Sequence, residues 1–424
     1  MTKKELKASA TQLLEENILS FWITRMTDHE RGGYYGQMTG DGRLVKDADK
    51  GAILNARLLW TFSAAYRVLG KKEYLEAATR AKDYFIEHFI DHEHGGVFWS
   101  VDCEGRPLDT KKQFYAIGFA IYGFSEYARA TGDREALDIA LQLFDCIEEH
   151  SFDHEHNGYI EACTREWGVM EDMRLSEKDE NYPKSQNTHL HIIEPYANLY
   201  RCLQELKAPE TCNYVPMLGS VLPIDVTVSP ETMNRVGSAL RNIICIFTDK
   251  ILNPETHHLD LFFDMDWRRM SIDESYGHDI ECSWLLHEAA LVLGDGYLLA
   301  KVEDIVKLVA KASEKGLNAD GSMSYEWKAE GGLDTDRHWW VQAENVVGWI
   351  NLYQHFGDEQ ALSNALRCYD YIEQHLVDRE GGEWFWSCDI DGRPNRQNDK
   401  AGFWKCPYHN GRMCLEIIER YETV

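Results

Sequence analysis

Six short turns, five of which contain glycine, are spread along this chain of 424 residues, and each leads into a long helical segment. Successive turns lie about 60 residues apart, except for one gap of about 100 residues between the third and the fourth. The turns are DHERGGYYGQMTGDGR at 28–43, DHEHGGVFWSVDCEGRP at 91–107, DHEHNGYIEACTRE at 153–166, HHLDLFFDMDWR at 257–268, LNADGSMSYEWK at 317–328 and DREGGEWFWSCDIDGRP at 378–394. A period of this length is typical of repeated supersecondary units, which bring equivalent positions together when they form a ring.

Helical periodicity predicts about twelve helices between the turns. Segment 52–69 is apolar around most of its circumference, whereas 72–89 carries a single apolar stripe with three- and four-residue spacing. This alternation indicates an inner and an outer ring. The predicted helices are 3–20, 52–69, 72–89, 113–130, 134–149, 187–206, 229–250, 277–293, 296–314, 338–356, 359–375 and 407–422.

Alternating residues in the turns, such as VFWSVD and EWFWSCD, predict short hairpin strands. Six helix pairs with hairpins at one end predict an all-α fold, an (α/α)6 barrel that occupies 1–424 as one domain. The alternative is an open superhelix of helical hairpins; six near-equal repeats favour closure. The long third interval, 165–185 and 208–228, should hold loops over one side of the cavity mouth.

Composition and charge restrict the possible partners. The net charge of −27 disfavours nucleic acid and anionic membranes, whereas a neutral ligand meets no such repulsion. The eleven cysteines show no paired spacing, and the N-terminal segment has no apolar signal core. We therefore expect a cytoplasmic protein without disulfides that is a monomer or a weak homodimer and binds a small molecule, with no membrane partner.

If the inner helices begin at the same end, their first turns surround one funnel. His278 and Glu281 are three residues apart, so a carboxylate could orient that imidazole, and Asn187 and His191 are four residues apart; His189 is offset and points elsewhere. The residues predicted to face the funnel are Arg57, Tyr115, Asn187, His191, His278, Glu281, Trp339, Trp340, Trp404 and His409. Three histidines from three repeats indicate proton transfer near neutral pH.

Structural interpretations compete with these functional ones. Any one of the histidines alone could be a core or capping residue, Arg57 could pair with Asp49, and the tryptophans could be packing residues. The DHEH clusters at 91–94 and 153–156 could suggest a metal, but they stand where Asp and His cap turns. We therefore predict no metal, and no nucleotide-binding fingerprint is present.

Five segments carry a resemblance to a known family. DKGAILNARLLW, NTHLHIIEPYANLY, GHDIECSWLLHEAA, HWWVQAENVVGW and FWKCPYHNGR together resemble the cellobiose 2-epimerase branch of the N-acylglucosamine 2-epimerase superfamily, over about residues 18–420. The resemblance implies an (α/α)6 barrel and reversible epimerisation at carbon 2 of a reducing-end sugar, without a metal, nucleotide or other cofactor.

The resemblance also implies roles for individual residues. His278 and His409 would be the acid/base pair, His191 would assist ring opening, Glu281 would support His278, and Arg57 would bind the oxygen of an enediolate. The sugar would lie against Tyr115, Asn187, Trp340 and Trp404. Trp339 is the alternative to Trp340, because the local match permits a shift of one residue. Two histidines suit this reaction because one base cannot easily reach both faces of a carbon.

Other functions remain open at this point. Within the superfamily, the substrate could be mannobiose, an N-acylglucosamine or a monosaccharide. An (α/α)6 glycoside hydrolase would need two carboxylates, for which Asp279 and Glu344 are candidates. A sugar-binding repeat protein without catalysis is the third possibility.

Overall fold

The chain forms two concentric rings of helices. The computed structural model describes residues 2–177, 179–207 and 228–421. The inner helices are α3 (Ala52–Leu69), α5 (Phe114–Thr131), α7 (Gln186–Lys207), α9 (Tyr276–Leu293), α11 (Trp339–Phe356) and α13 (Tyr408–Arg420). The outer helices are α1 (Lys3–Gln12), extended by a π-helical turn Leu13–Leu19 and α2 (Ser20–Arg25), α4 (Lys72–His88), α6 (Arg134–His150), α8 (Pro230–Ile246), α10 (Gly296–Ser313) and α12 (Glu359–Tyr371). These elements confirm the predicted helices.

Helix packing closes the inner ring. Each inner helix packs against the next one, and α13 packs against α3. Every outer helix packs on the inner helix that precedes it in sequence, and α1 packs on α13, so the two ends of the chain complete one repeat. Inner helices such as α3 and α5 are buried around nearly their whole circumference, because they contact two inner neighbours and one outer helix. The fold is therefore an (α/α)6 barrel.

Backbone pairing between hairpins confirms this closure. Just before each inner helix, one or two residues pair antiparallel with the neighbouring hairpin. The pairings are Lys50–Gly51 with Ser100–Val101, Lys112–Gln113 with Ala162–Cys163, Lys184–Ser185 with Phe262–Phe263, Glu274 with Trp327, Arg337–His338 with Ser387–Cys388, and Ala401 with Met38. The last of these joins the sixth repeat to the first, so the open superhelix is wrong.

The six turns are hairpins, as predicted. An isolated antiparallel bridge closes each of them, and three further strand pairs extend their tips. The bridges are Thr27–Tyr34, Ile90–Val97, Phe152–Tyr159, Leu252–Leu259, Leu317–Met323 and Val377–Trp384. The tip pairs are Gln37–Met38 with Leu44–Val45, Ser100–Val101 with Pro107–Asp109, and Glu326–Lys328 with Gly332–Asp334.

A buried aspartate–lysine pair explains the acidic start of four turns. One Asp28 oxygen accepts the backbone N–H groups of Glu30 and Arg31, and the other accepts Lys50 Nζ at 3.0 Å. The equivalent pairs are Asp91–Lys112, Asp153–Lys184 and Asp378–Lys400. The lysine amine and the backbone N–H groups hold the pKa of these aspartates below its ordinary value, although burial opposes them. The DHEH clusters therefore cap turns, as predicted.

We expect Lys50→Met to lower the free energy of unfolding by about 3–5 kcal/mol, because it leaves the buried Asp28 carboxylate without its cation. Urea unfolding measures this loss. The matched control is Lys46→Met, whose half-exposed ion pair with Glu30 should contribute less than about 1 kcal/mol. Equal losses in the two variants would show that the buried ion pair contributes no more to the free energy of unfolding than the exposed one.

Two further expectations concern the whole chain. The ten cysteines among the described residues are free thiols. The spacing of the cysteines in the sequence likewise gave no reason to expect disulfides. Within the same residues, none of the helices combines the length and the apolar character that crossing a membrane requires.

Candidate active site

The inner helices present two tiers of side chains at the hairpin end of the barrel. The upper tier comes from the first turn of each helix and the lower tier lies four residues later, which is one turn deeper. The pairs are Ile53 and Arg57, Tyr115 and Phe119, Asn187 and His191, Gly277 and Glu281, Trp340 and Glu344, and Tyr408 and Arg412. The repeats thus contribute chemically different side chains, from similar positions of the six inner helices, to one site.

Arg412 joins the lower tier across the barrel. Its Nη2 donates to Glu281 at 2.8 Å and to Glu344 at 2.7 Å, and its Nη1 donates to Glu194. The hydroxyl of Tyr408 donates to the same Glu194 oxygen. All these side chains are at most 4% exposed. Three carboxylates around one guanidinium carry excess negative charge, which disfavours full ionisation of the cluster.

Each of the three predicted histidines is oriented through its Nδ1 atom. His409 Nδ1 lies 2.7 Å from Glu344, and His191 Nδ1 lies 3.1 Å from Glu194. His278 Nδ1 pairs instead with the Ser275 hydroxyl at 2.7 Å. With Nδ1 engaged in this way, Nε2 is the nitrogen left for a ligand.

The predicted contact between Glu281 and His278 is wrong. Both residues lie on one side of α9, but Arg412 of α13 donates a hydrogen bond to the Glu281 carboxylate. The Glu281 carboxylate lies 3.9 Å from His409 Nδ1, so it supports that histidine electrostatically. Ser275, the residue that precedes α9, takes the position predicted for Glu281 beside His278.

Burial controls the ionisation of the site. Burial lowers the pKa of His278 to about 3, and burial together with the Arg57 and Arg412 charges places the pKa of His191 and of His409 well below the ordinary value. Burial also raises the pKa of Glu194 to about 7. At neutral pH the three imidazoles are therefore neutral, and each can accept a proton.

Aromatic side chains form the walls of the funnel. The Trp340 ring lies between two histidines, with centroid distances of 4.8 Å to His278 and 5.7 Å to His409. On another side, Tyr115 lies 4.8 Å from His191 and 5.9 Å from Trp404. Trp340 and Trp404 remain partly exposed, so their faces are accessible to a ligand.

Trp339 does not belong to this wall. It is 4% exposed and packs against Trp386 with a centroid distance of 4.6 Å, beneath Lys405. Successive helical residues point about 100° apart, and the structure gives Trp340 the funnel position. The predicted substrate contact of Trp339 is corrected to packing.

Arg57 is a buried cation whose hydrogen-bond partner among the described side chains is a phenol and not a carboxylate. Its Nη2 donates to the Tyr115 hydroxyl at 2.9 Å, and its guanidinium lies over the rings of Phe119 and Tyr408 at 4.1 and 4.7 Å. The proposed pair with Asp49 is therefore wrong. A guanidinium whose main partners are a phenol and aromatic faces keeps its charge available for an oxyanion.

A cavity of about 430 Å³ opens beside His278 and Asn187. Loop residues 173–175, 179, 180 and 182, inside the predicted long third interval, form one wall, and residues 270–273, 325, 326 and 328–331 supply others. The other part of that prediction, 208–228, lies outside the described residues except for 228. A cavity of this size beside His278 suits a small-molecule ligand.

Comparison with known proteins assigns the chain to a family. The family model of N-acylglucosamine 2-epimerase (GlcNAc 2-epimerase) matches residues 33–199 and 225–411. The chain belongs to the N-acylglucosamine 2-epimerase family. It is 55% identical to the cellobiose 2-epimerase of Bacteroides fragilis, over 97% of this chain and 98% of that protein. The cellobiose 2-epimerase of Ruminococcus albus is 38% identical, over 96% and 97% of the two chains.

A solved structure agrees with this assignment. Cellobiose 2-epimerase from Bacillus thermoamylovorans superposes with a TM-score of 0.87 at 39% identity, covering 98% of this chain and 100% of that one. The resemblance noted from the sequence is confirmed, and the protein is a carbohydrate epimerase.

The carboxylates of this epimerase do not fit the hydrolase alternative. Asp279 accepts His258 Nδ1 at 2.6 Å and the Leu259 N–H at 2.9 Å, so it fixes a hairpin. Glu344 accepts Arg412, His409 and Trp284. A hydrolase needs two carboxyl groups that flank a scissile bond, and both of these are committed to other partners.

Glu281, Glu344 and His409 are close enough together to suggest a metal site. However, Arg412 donates to both carboxylates with the same Nη2 atom, which places a cation between them already. The donor set is therefore that of an ion-pair cluster.

The sequence analysis missed three residues of the epimerase site, namely Glu194, Tyr408 and Arg412. Helical spacing within one segment does not show that Glu194 of α7 and Arg412 of α13 meet across the barrel, or that Tyr408 joins them. A signal was available: charged residues four positions beyond the first turn recur in helices that are otherwise apolar. Glu344 was noticed, but in the role of a hydrolase carboxylate.

Gly277 makes room for Trp340, because a Cβ atom there would lie 2.7 Å from the Trp340 ring and 2.8 Å from Val341. We expect Gly277→Ala to raise KM for the sugar by displacing Trp340, and to lower the free energy of unfolding by about 1–3 kcal/mol. Steady-state kinetics and urea unfolding measure the two effects. Gly296→Ala, which meets no atom within 4 Å, is the control and should change neither. An unchanged KM in Gly277→Ala would remove Trp340 from the proposed sugar site.

Proposed function

We propose that this epimerase interconverts cellobiose and its epimer at carbon 2 of the reducing-end sugar, with glucosyl-mannose as the product. The observation that carries the proposal is the position of Trp340 between His278 and His409. Two imidazoles beside one apolar platform suit a pyranose-derived carbon that must be approached from both sides. The likeness to cellobiose 2-epimerases supports this substrate.

The reaction requires an open-chain aldehyde. His191, held by Glu194, is placed to move the proton of the anomeric hydroxyl during ring opening. One of His278 and His409 then removes the proton at carbon 2, and the C–H electron pair forms the carbon 1–carbon 2 double bond. The carbonyl pair moves to oxygen 1, and the enediolate charge lies within reach of Arg57.

The second half of the reaction reverses these electron movements from the opposite face. The other histidine is neutral at rest, so it first takes up a proton, for which the Glu194 carboxyl group with its pKa of about 7 is the source in the site, and then donates that proton to carbon 2. The proton that the first histidine removed returns to the carboxyl cluster. A histidine that accepts a proton becomes a cation, and for His409 the Glu344 carboxylate 2.7 Å away stabilises that cation. The raised pKa of Glu194 indicates that the lower tier can also hold a proton at neutral pH.

Products from a sugar panel test this proposal against its rivals. The parent enzyme is incubated separately with cellobiose, mannobiose, N-acetylglucosamine and mannose, and the products are separated by chromatography. A mannose-terminated disaccharide formed fastest from cellobiose supports the proposal. Preferred turnover of any other sugar would reassign the substrate, release of glucose from cellobiose would indicate a hydrolase, and an absence of turnover would indicate a binding protein.

A further inference from the structure

The cavity next to His278 has a wall of hydrogen-bond acceptors that the proposed chemistry does not use. Gln186 is the first residue of α7, is 2% exposed and lines this cavity. Its Oε1 atom is buried and has no hydrogen-bond partner, and neither has the Oδ1 atom of Asn187 beside it. A buried acceptor without a donor costs about 1–3 kcal/mol, so a ligand that supplies a donor is favoured there.

Glu161 supports this wall from the neighbouring hairpin. It is 4% exposed, lines the same cavity and accepts the Ser185 N–H at 2.8 Å and the Thr188 hydroxyl at 2.5 Å. These two residues flank Gln186 and Asn187 along the chain. The Glu161 carboxyl group therefore fixes the backbone turn that presents both amide side chains to the cavity.

The carboxyl group at position 161 is particular to its repeat. In four repeats, one hairpin residue accepts the N–H of the first residue of an inner helix through its carbonyl oxygen. These residues are Trp99, Glu161, Leu261 and Trp386. Barrel closure thus needs only a backbone carbonyl at this position, and the acidic side chain must be explained by what it does in the cavity.

Burial supports this interpretation, because it raises the pKa of Glu161 to about 8. The nearby Asp179 carboxylate acts in the same direction. At neutral pH the wall is therefore polar with little charge of its own, which suits the neutral hydroxyl groups of a sugar better than a charged ligand.

We propose that Gln186 binds a hydroxyl group of the disaccharide and that Glu161 is the positioning residue for it. This inference rests on the proposed function. The Gln186 amide oxygen accepts the hydroxyl proton, and Asn187 completes the acceptor wall on the side of His278. Because it holds a part of the substrate that does not react, Gln186 acts on binding and not on proton transfer.

Kinetics of Gln186→Leu with cellobiose test the inference. We expect KM to rise about tenfold, as for the loss of one hydrogen bond, and kcat to stay within about twofold. Gln204→Leu, an exposed glutamine near the other end of α7, is the matched control and should leave both constants unchanged. Glu161→Leu, which reproduces the leucine of the next repeat, should raise KM, and Glu161→Gln should restore most of the affinity.

Monodeoxy derivatives of cellobiose identify the bound hydroxyl. Removal of that hydroxyl should raise KM about tenfold in the parent enzyme and have no further effect in Gln186→Leu. Equal losses in parent and variant for every derivative would overturn the inference, as would a fall in kcat with unchanged KM. If the parent does not turn over cellobiose at all, it is the proposed function that fails, so the two failures are distinguishable.

Discussion

Replacing His409 by asparagine should lower kcat for cellobiose by about 10²–10⁴-fold, which is the range expected when a general acid or base is removed. An asparagine side chain can still donate an N–H to Glu344, the contact that His409 Nδ1 makes now, but it cannot take up or return a proton. We therefore expect KM to change little and the free energy of unfolding to fall by less than about 1 kcal/mol. Chromatography of the product and urea unfolding provide the two measurements.

The control for this variant is His154→Asn, which changes an exposed histidine in a hairpin and should keep full activity. His278→Asn should show a loss similar to that of His409→Asn, because both histidines act on the same carbon. Full activity of His409→Asn in a folded protein would eliminate this histidine from the chemistry and leave His278 and His191 as the remaining candidates.

Replacing Arg412 by methionine should lower the free energy of unfolding by about 3–5 kcal/mol, a loss as large as that expected for Lys50→Met. The guanidinium is fully buried and donates to Glu194, Glu281 and Glu344, so the variant would leave three buried carboxyl groups without their cation. Activity should also fall, because Glu194 and Glu344 orient His191 and His409.

The stability of the Arg412→Met variant should depend on pH in a defined direction. The pKa of Glu194 is already raised to about 7 in the parent, and the loss of Arg412 should raise it further, together with the pKa of Glu281, because the Arg412 charge lowers both. Carboxyl groups with raised folded-state pKa values favour the folded state when protonated, below their unfolded pKa. That contribution is lost as pH rises through the interval up to the folded pKa.

The free energy of unfolding that Arg412→Met loses relative to the parent should therefore be smaller at about pH 5 than at about pH 8. Urea unfolding at both pH values measures this loss. Arg393→Met, which removes an exposed guanidinium, is the control and should show a small deficit at both. A deficit that does not depend on pH would mean that lost packing, and not uncompensated charge, explains the effect.

The barrel could be predicted from the sequence because each repeat of the structure contains one turn, one apolar inner helix and one amphipathic outer helix. The period of the turns and the alternation of the helices therefore correspond directly to its architecture. The predicted histidines, Arg57, Tyr115 and Asn187 lie at the hairpin end of the inner helices, whereas Trp404 lies in the segment that precedes α13. Periodicity assigns a residue to a helix face, but it does not determine which neighbour reaches that face first. Arg412, which comes from the far side of the ring, therefore took the carboxylate that the local spacing had assigned to His278.

Two further differences have the same origin. Trp339 and Trp340 are adjacent in sequence, and only the rotation of α11 within the ring decides which of them faces the funnel. Glu194 and Arg412 lie deeper in the barrel than the first-turn residues, and Tyr408 joins them, so contacts between four helices define this part of the site. Such contacts join residues more than 200 positions apart, so helix-by-helix patterns in one sequence do not reveal them.

In the proposed reaction, carbon 2 of the reducing-end sugar loses and regains a proton in the active site. Incubation of the parent enzyme with cellobiose in heavy water, followed by NMR of the disaccharides, tests it most directly. We expect a mannose-terminated disaccharide with deuterium at carbon 2, and about 10²–10⁴-fold slower formation of it by His409→Asn. Unchanged cellobiose without deuterium at carbon 2, from a folded parent enzyme, would contradict it.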